Sequence, residues 1–161
     1  MFLANEVFDM AVQFEKNGEA VYRSAVSNVP DPALAALLEW MADEESRHAA
    51  FFSRLKAKKA AGRHPFSREL TRELLDEMIG EQTFSLGDAD FSAIEHQEEL
   101  IRIFLEFEKD TIIFYEMLTP FIEDAETRAS VETIIDEENT HIERLKVFLD
   151  REETHPAFTD C

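Results

Sequence analysis

One cysteine, Cys161, is all that the 161 residues contain. A lone thiol rules out an intrachain disulfide and a Cys-x-x-Cys pair, and with them a rubredoxin-type iron site or a zinc ribbon. Glycine and proline are scarce too, at four and five. So little turn material favours long uninterrupted helices over a turn-rich β fold. Positive charge is short: 16 Lys and Arg stand against 35 Asp and Glu, for a net charge of −19. That balance argues against nucleic acid or an anionic membrane as partner, and suits a chain that draws cations. No run approaches the roughly 18 apolar residues that a membrane span needs. The start, Met1 to Glu6, has no basic region ahead of an apolar run, so no signal peptide is expected and a cytoplasmic location follows by default.

What is present is 45% hydrophobic and 32% charged, a globular balance that suits one domain over residues 1–161. Four helices are expected, at about 3–28, 32–59, 92–118 and 125–152. Their inward stripes alternate three- and four-residue steps. The first is Phe8, Ala11, Glu15, Gly18, Tyr22, Ala25, and the second Leu38, Met41, Glu45, His48, Phe52, Leu55. The third is Ile101, Phe104, Glu108, Thr111, Tyr115, Leu118, and the fourth Val131, Ile134, Glu138, His141, Leu145, Phe148. Pro30-Asp31-Pro32 turns the first pair, with Asp31 as N-cap; Pro120 and Asp124 turn the second. Residues 60–91 read as a crossover carrying a short helix from Ser67 to Met78, and 153–161 as a tail.

The stripes hold a duplication. Asp43-Glu44-Glu45-Ser46-Arg47-His48 and Asp136-Glu137-Glu138-Asn139-Thr140-His141 share an Asp-Glu-Glu-x-x-His skeleton 93 residues apart. Phe14-Glu15-Lys16 with Tyr22 matches Phe107-Glu108-Lys109 with Tyr115 at the same offset. Over residues 14–23 and 43–48 set against 107–116 and 136–141, eight of sixteen positions are identical, where about one is expected by chance. Carboxylate and imidazole three residues apart share one helix face and can reach one ion. Glu15 and Glu45 are 30 residues apart with the first turn midway; Glu108 and Glu138 repeat the spacing about the second. Equal rise out and back brings each lone Glu level with a Glu-x-x-His. Packed face to face, the hairpins would gather four carboxylates and two imidazoles in one layer. Even one unpaired buried charge costs several kcal/mol, so such a layer needs cations. Its donors suit iron or manganese and disfavour copper(I) or structural zinc. Small Gly18 and Thr111, three residues past Glu15 and Glu108, are expected to leave room beside the metals for oxygen, peroxide or water.

This pattern resembles the ferritin-like di-iron carboxylate proteins, and within them the rubrerythrin-like family. Glu-Lys-x-x-x-x-x-Tyr on the first and third helices is the closest likeness. The resemblance implies an all-α, ferritin-like four-helix bundle of two antiparallel hairpins joined by a long crossover. It implies two iron ions, with manganese or a mixed pair as alternatives. Glu45 and Glu138 would bridge them, Glu15 and Glu108 would be terminal ligands, and His48 and His141 would take one metal each. Tyr22 and Tyr115 would hydrogen-bond ligand carboxylates, or serve only as core aromatics. The chain departs from rubrerythrins in lacking their rubredoxin domain, so an external electron donor such as a rubredoxin-type protein is expected. It departs again at Thr111, where rubrerythrins carry an extra Glu used in redox-linked ligand exchange. Glu19, at i+4 from Glu15, is either its substitute or, preferably, a surface carboxylate.

Other candidates read blandly. Glu152-x-x-His155 has no repeat partner, His64 and His96 read as surface, Cys161 as an inert thiol, and Trp40 and the many Phe as core or dimer packing. The leading function is a di-iron oxidoreductase acting on hydrogen peroxide or dioxygen. A ferroxidase that oxidises Fe(II), a manganese catalase-like site and a non-catalytic metal-stabilised interaction module are the alternatives. A homodimer is expected.

Overall fold

In a computed structural model, which describes residues 3–60 and 96–154, the regular elements are four long helices and one 3-10 turn. They are α1 (Leu3–Val26), α2 (Pro32–Ala60), α3 (Gln97–Leu118) and α4 (Ala125–Thr154), with Thr119–Phe121 as the 3-10 turn. No strand occurs among the described residues. The expected crossover, its short helix, His64, His155, Cys161 and the tail beyond 154 lie outside them.

Local chemistry sets the turns. After α1, the Asn28 and Val29 amides both donate to the Ala25 carbonyl, which closes that helix end. Asp31 caps α2, its Oδ1 accepting from the Ala33 amide at 2.8 Å. Asp124 caps α4 in the same way, with the Thr127 amide 2.7 Å from its Oδ2. Pro120 sits inside the 3-10 turn, where its missing N–H costs nothing. The third helix begins later than the expected residue 92. His96 is extended at φ −117° and ψ 128°, so Gln97 is the first helical residue.

Every stripe residue but one is buried. Phe148 is half-buried against the core, and Leu149 beside it is buried. The apolar side chains form two clusters. Leu34, Leu38 and Met41, close to the α1–α2 turn, pack with Ile101 and Phe104 from early α3 and Leu145 from late α4. Phe8 and Phe52 pack with Leu118, Ile122 and Val131 around the α3–α4 turn. The two turns therefore lie at opposite ends of the bundle. Each buried Leu, Ile or Phe contributes about 1.5–3 kcal/mol of transfer free energy. Edge-on ring pairs join α1 to α3: Phe14 with Phe114 at 5.0 Å and Tyr22 with Phe104 at 4.9 Å. Between the two clusters lies the polar layer.

Candidate metal centre

All six expected residues meet in that layer. Glu15, Glu108, Glu138 and His141 are 0% exposed, Glu45 1% and His48 2%. Donor atoms of Glu15, Glu45, His48 and Glu138 all lie within 4.8 Å of one another, and so do those of Glu45, Glu108, Glu138 and His141. Glu45 and Glu138 belong to both sets. The result is two adjacent four-donor cages that share two carboxylates.

The Nδ1 atoms face inward. His48 Nδ1 is 2.9 Å from Glu138 Oε1 and 3.3 Å from Glu15 Oε2. His141 Nδ1 is 2.8 Å from Glu138 Oε2 and 3.3 Å from Glu45 Oε1. These contacts are close, but their angles do not make hydrogen bonds. Both Nδ1 atoms, both Glu138 oxygens, Glu15 Oε2, Glu45 Oε1 and Glu108 Oε2 are buried without a hydrogen-bond partner. An unsatisfied buried polar atom costs about 1–3 kcal/mol, more when charged. Seven such atoms aimed at one space fit cations, and the all-oxygen-and-imidazole donor set fits iron or manganese.

Protonation responds to the same crowding. Burial, then the charges of Glu138, Glu15 and Glu108, push the Glu45 carboxyl well above the ordinary range. Burial and the Glu138 charge push Glu108 up to about 8, against the pull of His141. Burial alone would lower both imidazoles. The carboxylates outweigh it, Glu138 and Glu15 raising His48 to about 12, and Glu108 and Glu138 raising His141 to about 10. Burial also opposes ionisation of Glu138, yet His141 and His48 together hold it below the usual range. Without metal, the surrounding carboxylates favour the protonated, cationic form of both imidazoles, in the place that metal ions would take.

The tyrosines work across the repeat. The Tyr22 hydroxyl, on α1, donates to Glu108 Oε1 on α3, and Tyr115 on α3 donates to Glu15 Oε1 on α1. Each hairpin thus orients the other's lone carboxylate. Gly18 corrects an expectation. A Cβ added there would stand 3.0 Å from Glu45 Oε2 and from Phe107 Cε1, so the space is already filled. The glycine makes room for the shared carboxylate, not for a small molecule. Thr111, its repeat partner, turns its hydroxyl onto its own helix, donating to the Phe107 carbonyl at 3.0 Å. Glu19 stays outside the layer in an ion pair with Arg23, 3.1 Å away, and His96 is exposed.

A family model, Rubrerythrin, matches residues 6–149. The chain belongs to the rubrerythrin family. Among solved structures it is similar to one described as a ferritin-like diiron-carboxylate protein, from Thermotoga maritima. The identity is 19% and the TM-score 0.65, over 91% of this chain and 94% of that one, which establishes the ferritin-like fold. No curated protein matches.

Sequence reasoning missed three neighbours of this rubrerythrin-family layer. Glu44 and Glu137, the first Glu of each Asp-Glu-Glu, gather on the outer side of His48. Trp40 packs edge-on against His141, ring centroids 5.2 Å apart. The duplicated second acid was the available signal for the first pair; nothing in the repeat marks Trp40, whose counterpart is Thr133.

Proposed function

We propose that this rubrerythrin-family chain is a di-iron oxidoreductase that reduces hydrogen peroxide with electrons from an external donor. The carrying observation is the pair of four-donor sets that share Glu45 and Glu138. In this reading Glu15 and His48 would hold one iron, Glu108 and His141 would hold the other, and Glu45 and Glu138 would serve both. When bound, the iron pair supplies Lewis acidity and a two-electron reservoir for a small oxidant. The chain supplies the rest. Tyr22 and Tyr115 fix the terminal carboxylates, and the apolar clusters above and below keep bulk water from the layer.

Reducing one peroxide to two waters takes two electrons and two protons. With one cysteine, these 161 residues hold no thiolate iron site to deliver those electrons. A rubredoxin-type donor outside them is part of the proposal, as are a cytoplasmic location and pairing into a homodimer. No described helix is long and apolar enough to cross a membrane.

The same shortage of thiolate favours a second reading. A ferroxidase needs no separate donor, because Fe(II) is itself the reductant. Stopped-flow spectroscopy of the anaerobically reduced, iron-loaded chain separates the two. Fast oxidation by peroxide, with turnover when a reductant is added, supports peroxide reduction. Oxidation of added Fe(II) by dioxygen with ferric product building up supports the ferroxidase. Equal rates with and without metal would sink both and leave a metal-stabilised interaction module.

A further inference from the structure

The layer is built by a duplication, yet its two imidazoles are not held alike. We infer that Glu137 is a positioning residue for His48 that makes the metal position at His48 bind more tightly than the one at His141. The inference rests on the metal-binding reading above and goes beyond it.

Glu137 Oε2 lies 2.7 Å from His48 Nε2, at the outer edge of a ring whose Nδ1 faces Glu138 and Glu15. An imidazole that donates Nε2–H to a carboxylate keeps its Nδ1 lone pair for a metal and becomes a more basic ligand. Repeat symmetry would have Glu44 do the same for His141. It does not. Glu44 is paired with Arg47 on its own helix, and its donor oxygen joins His48 and Glu137 instead. Arg47 Nη2 also stands 3.8 Å from Glu137, so both outer acids collect on one side of the layer. His141 Nε2 is left buried, with no hydrogen-bond partner among the described residues. Its ring meets Trp40 edge-on at 87°, and Arg144 lies 4.1 Å over the Trp40 ring.

The sequence accounts for the break. Arg47 stands where the second copy has Thr140, whose hydroxyl merely returns to its own helix at the Asp136 carbonyl. Only the first copy has a cation three residues past its outer Glu. Trp40 stands where the second copy has Thr133, so an aromatic ring borders His141 where no such ring is available to His48 from the repeat. One ligand is therefore locked in tautomer and angle by a carboxylate, while among the described residues the other is confined by packing.

The test is anaerobic calorimetric titration of the chelator-stripped full chain with Fe(II), repeated with Mn(II). The wild type should take two ions in two resolved steps. Glu137→Ala should weaken the tighter step by about 10–100-fold and leave the weaker one within about two-fold. Glu137→Gln, which keeps an uncharged acceptor, should fall between. Glu44→Ala should leave both steps within about two-fold. Alanine at a partly exposed helix position preserves folding, and far-UV circular dichroism of each variant checks that. Two equal steps in the wild type, an unchanged or uniformly weakened Glu137→Ala, or equal losses in Glu44→Ala and Glu137→Ala would overturn the inference. Uptake of fewer than two ions by the wild type would instead overturn the metal-centre reading beneath it.

Discussion

The α1–α2 hairpin and the α3–α4 hairpin agree where they face each other and diverge one shell out. Glu15, Glu45, His48 and Tyr22 have identical counterparts in Glu108, Glu138, His141 and Tyr115. Behind them the pairs become Arg47 and Thr140, Trp40 and Thr133, Gly18 and Thr111. A buried carboxylate–imidazole cluster tolerates little change in its donors, since each loss leaves an orphaned charge in a dry layer. Side chains one shell out are free to differ, and their differences are what can give the two halves unequal properties.

The largest expected effect tests whether the two halves are stable together without cations. Filling two sites at about a thousand times their Kd adds about 4 kcal/mol each. The melting temperature should therefore rise on the order of 20 °C from the chelated to the loaded protein. The chelated form should also lose stability as pH rises. Raised folded-state values mean that His48 and His141 stabilise fully below their unfolded value near 6.5. That contribution fades toward about 12 and about 10 respectively. Glu108 adds to the loss between its unfolded value near 4.5 and about 8. Metal loading should release protons and tighten with pH, read by an indicator dye during titration. A chelated protein that gains stability from pH 6 to pH 9 would contradict this.

Next in size is the contrast between shared and unshared carboxylates. Glu138→Ala and Glu45→Ala should each abolish loading of both ions, whereas Glu15→Ala and Glu108→Ala should each lose one, by elemental analysis. If Glu138→Ala still carries two ions, the shared-carboxylate reading fails. Smaller again are the tyrosines. Tyr22→Phe strands an oxygen of Glu108, and Tyr115→Phe one of Glu15. Each should cost about 1–3 kcal/mol by denaturant titration of the chelated form. Equal costs would show the crossed pairs to be equivalent halves of one device.

Much of this was legible in the chain. The 93-residue repeat, the midway turns and the polar breaks in apolar stripes lead to the six buried residues, because helix periodicity carries side-chain direction. The stripe is weakest at Phe148, which packs against the core cluster but is only partly buried. Three features were not legible. That each tyrosine serves the opposite hairpin depends on how the hairpins dock. The gathering of Glu44 and Glu137 beside His48 depends on where one arginine reaches. The Trp40 contact depends on rotation of α2 about its axis. All are tertiary facts that a one-dimensional spacing does not encode.

The subtlest asymmetry is Gly18 against Thr111. Glycine inside a helix costs about 1 kcal/mol relative to alanine, so Gly18→Ala should help α1 by that amount. The new Cβ would press on Glu45 Oε2 at 3.0 Å, the far end of a flexible side chain, and on the Phe107 ring edge. In the chelated protein Glu45 can give way, and the net change should be between zero and about 1 kcal/mol of stabilisation. With both cations bound Glu45 cannot move, because two ions hold it. The same substitution should then cost about 1–3 kcal/mol of overpacking and shrink the metal-induced rise in melting temperature. Thr111→Ala removes a hydroxyl bonded to its own helix and a buried methyl, so it should destabilise by about 1–2 kcal/mol, with the same sign in both forms. Differential scanning calorimetry of both variants, chelated and loaded, reads the contrast. A Gly18→Ala protein whose loading shift equals that of the wild type would mean that Glu45 is not held by the ions.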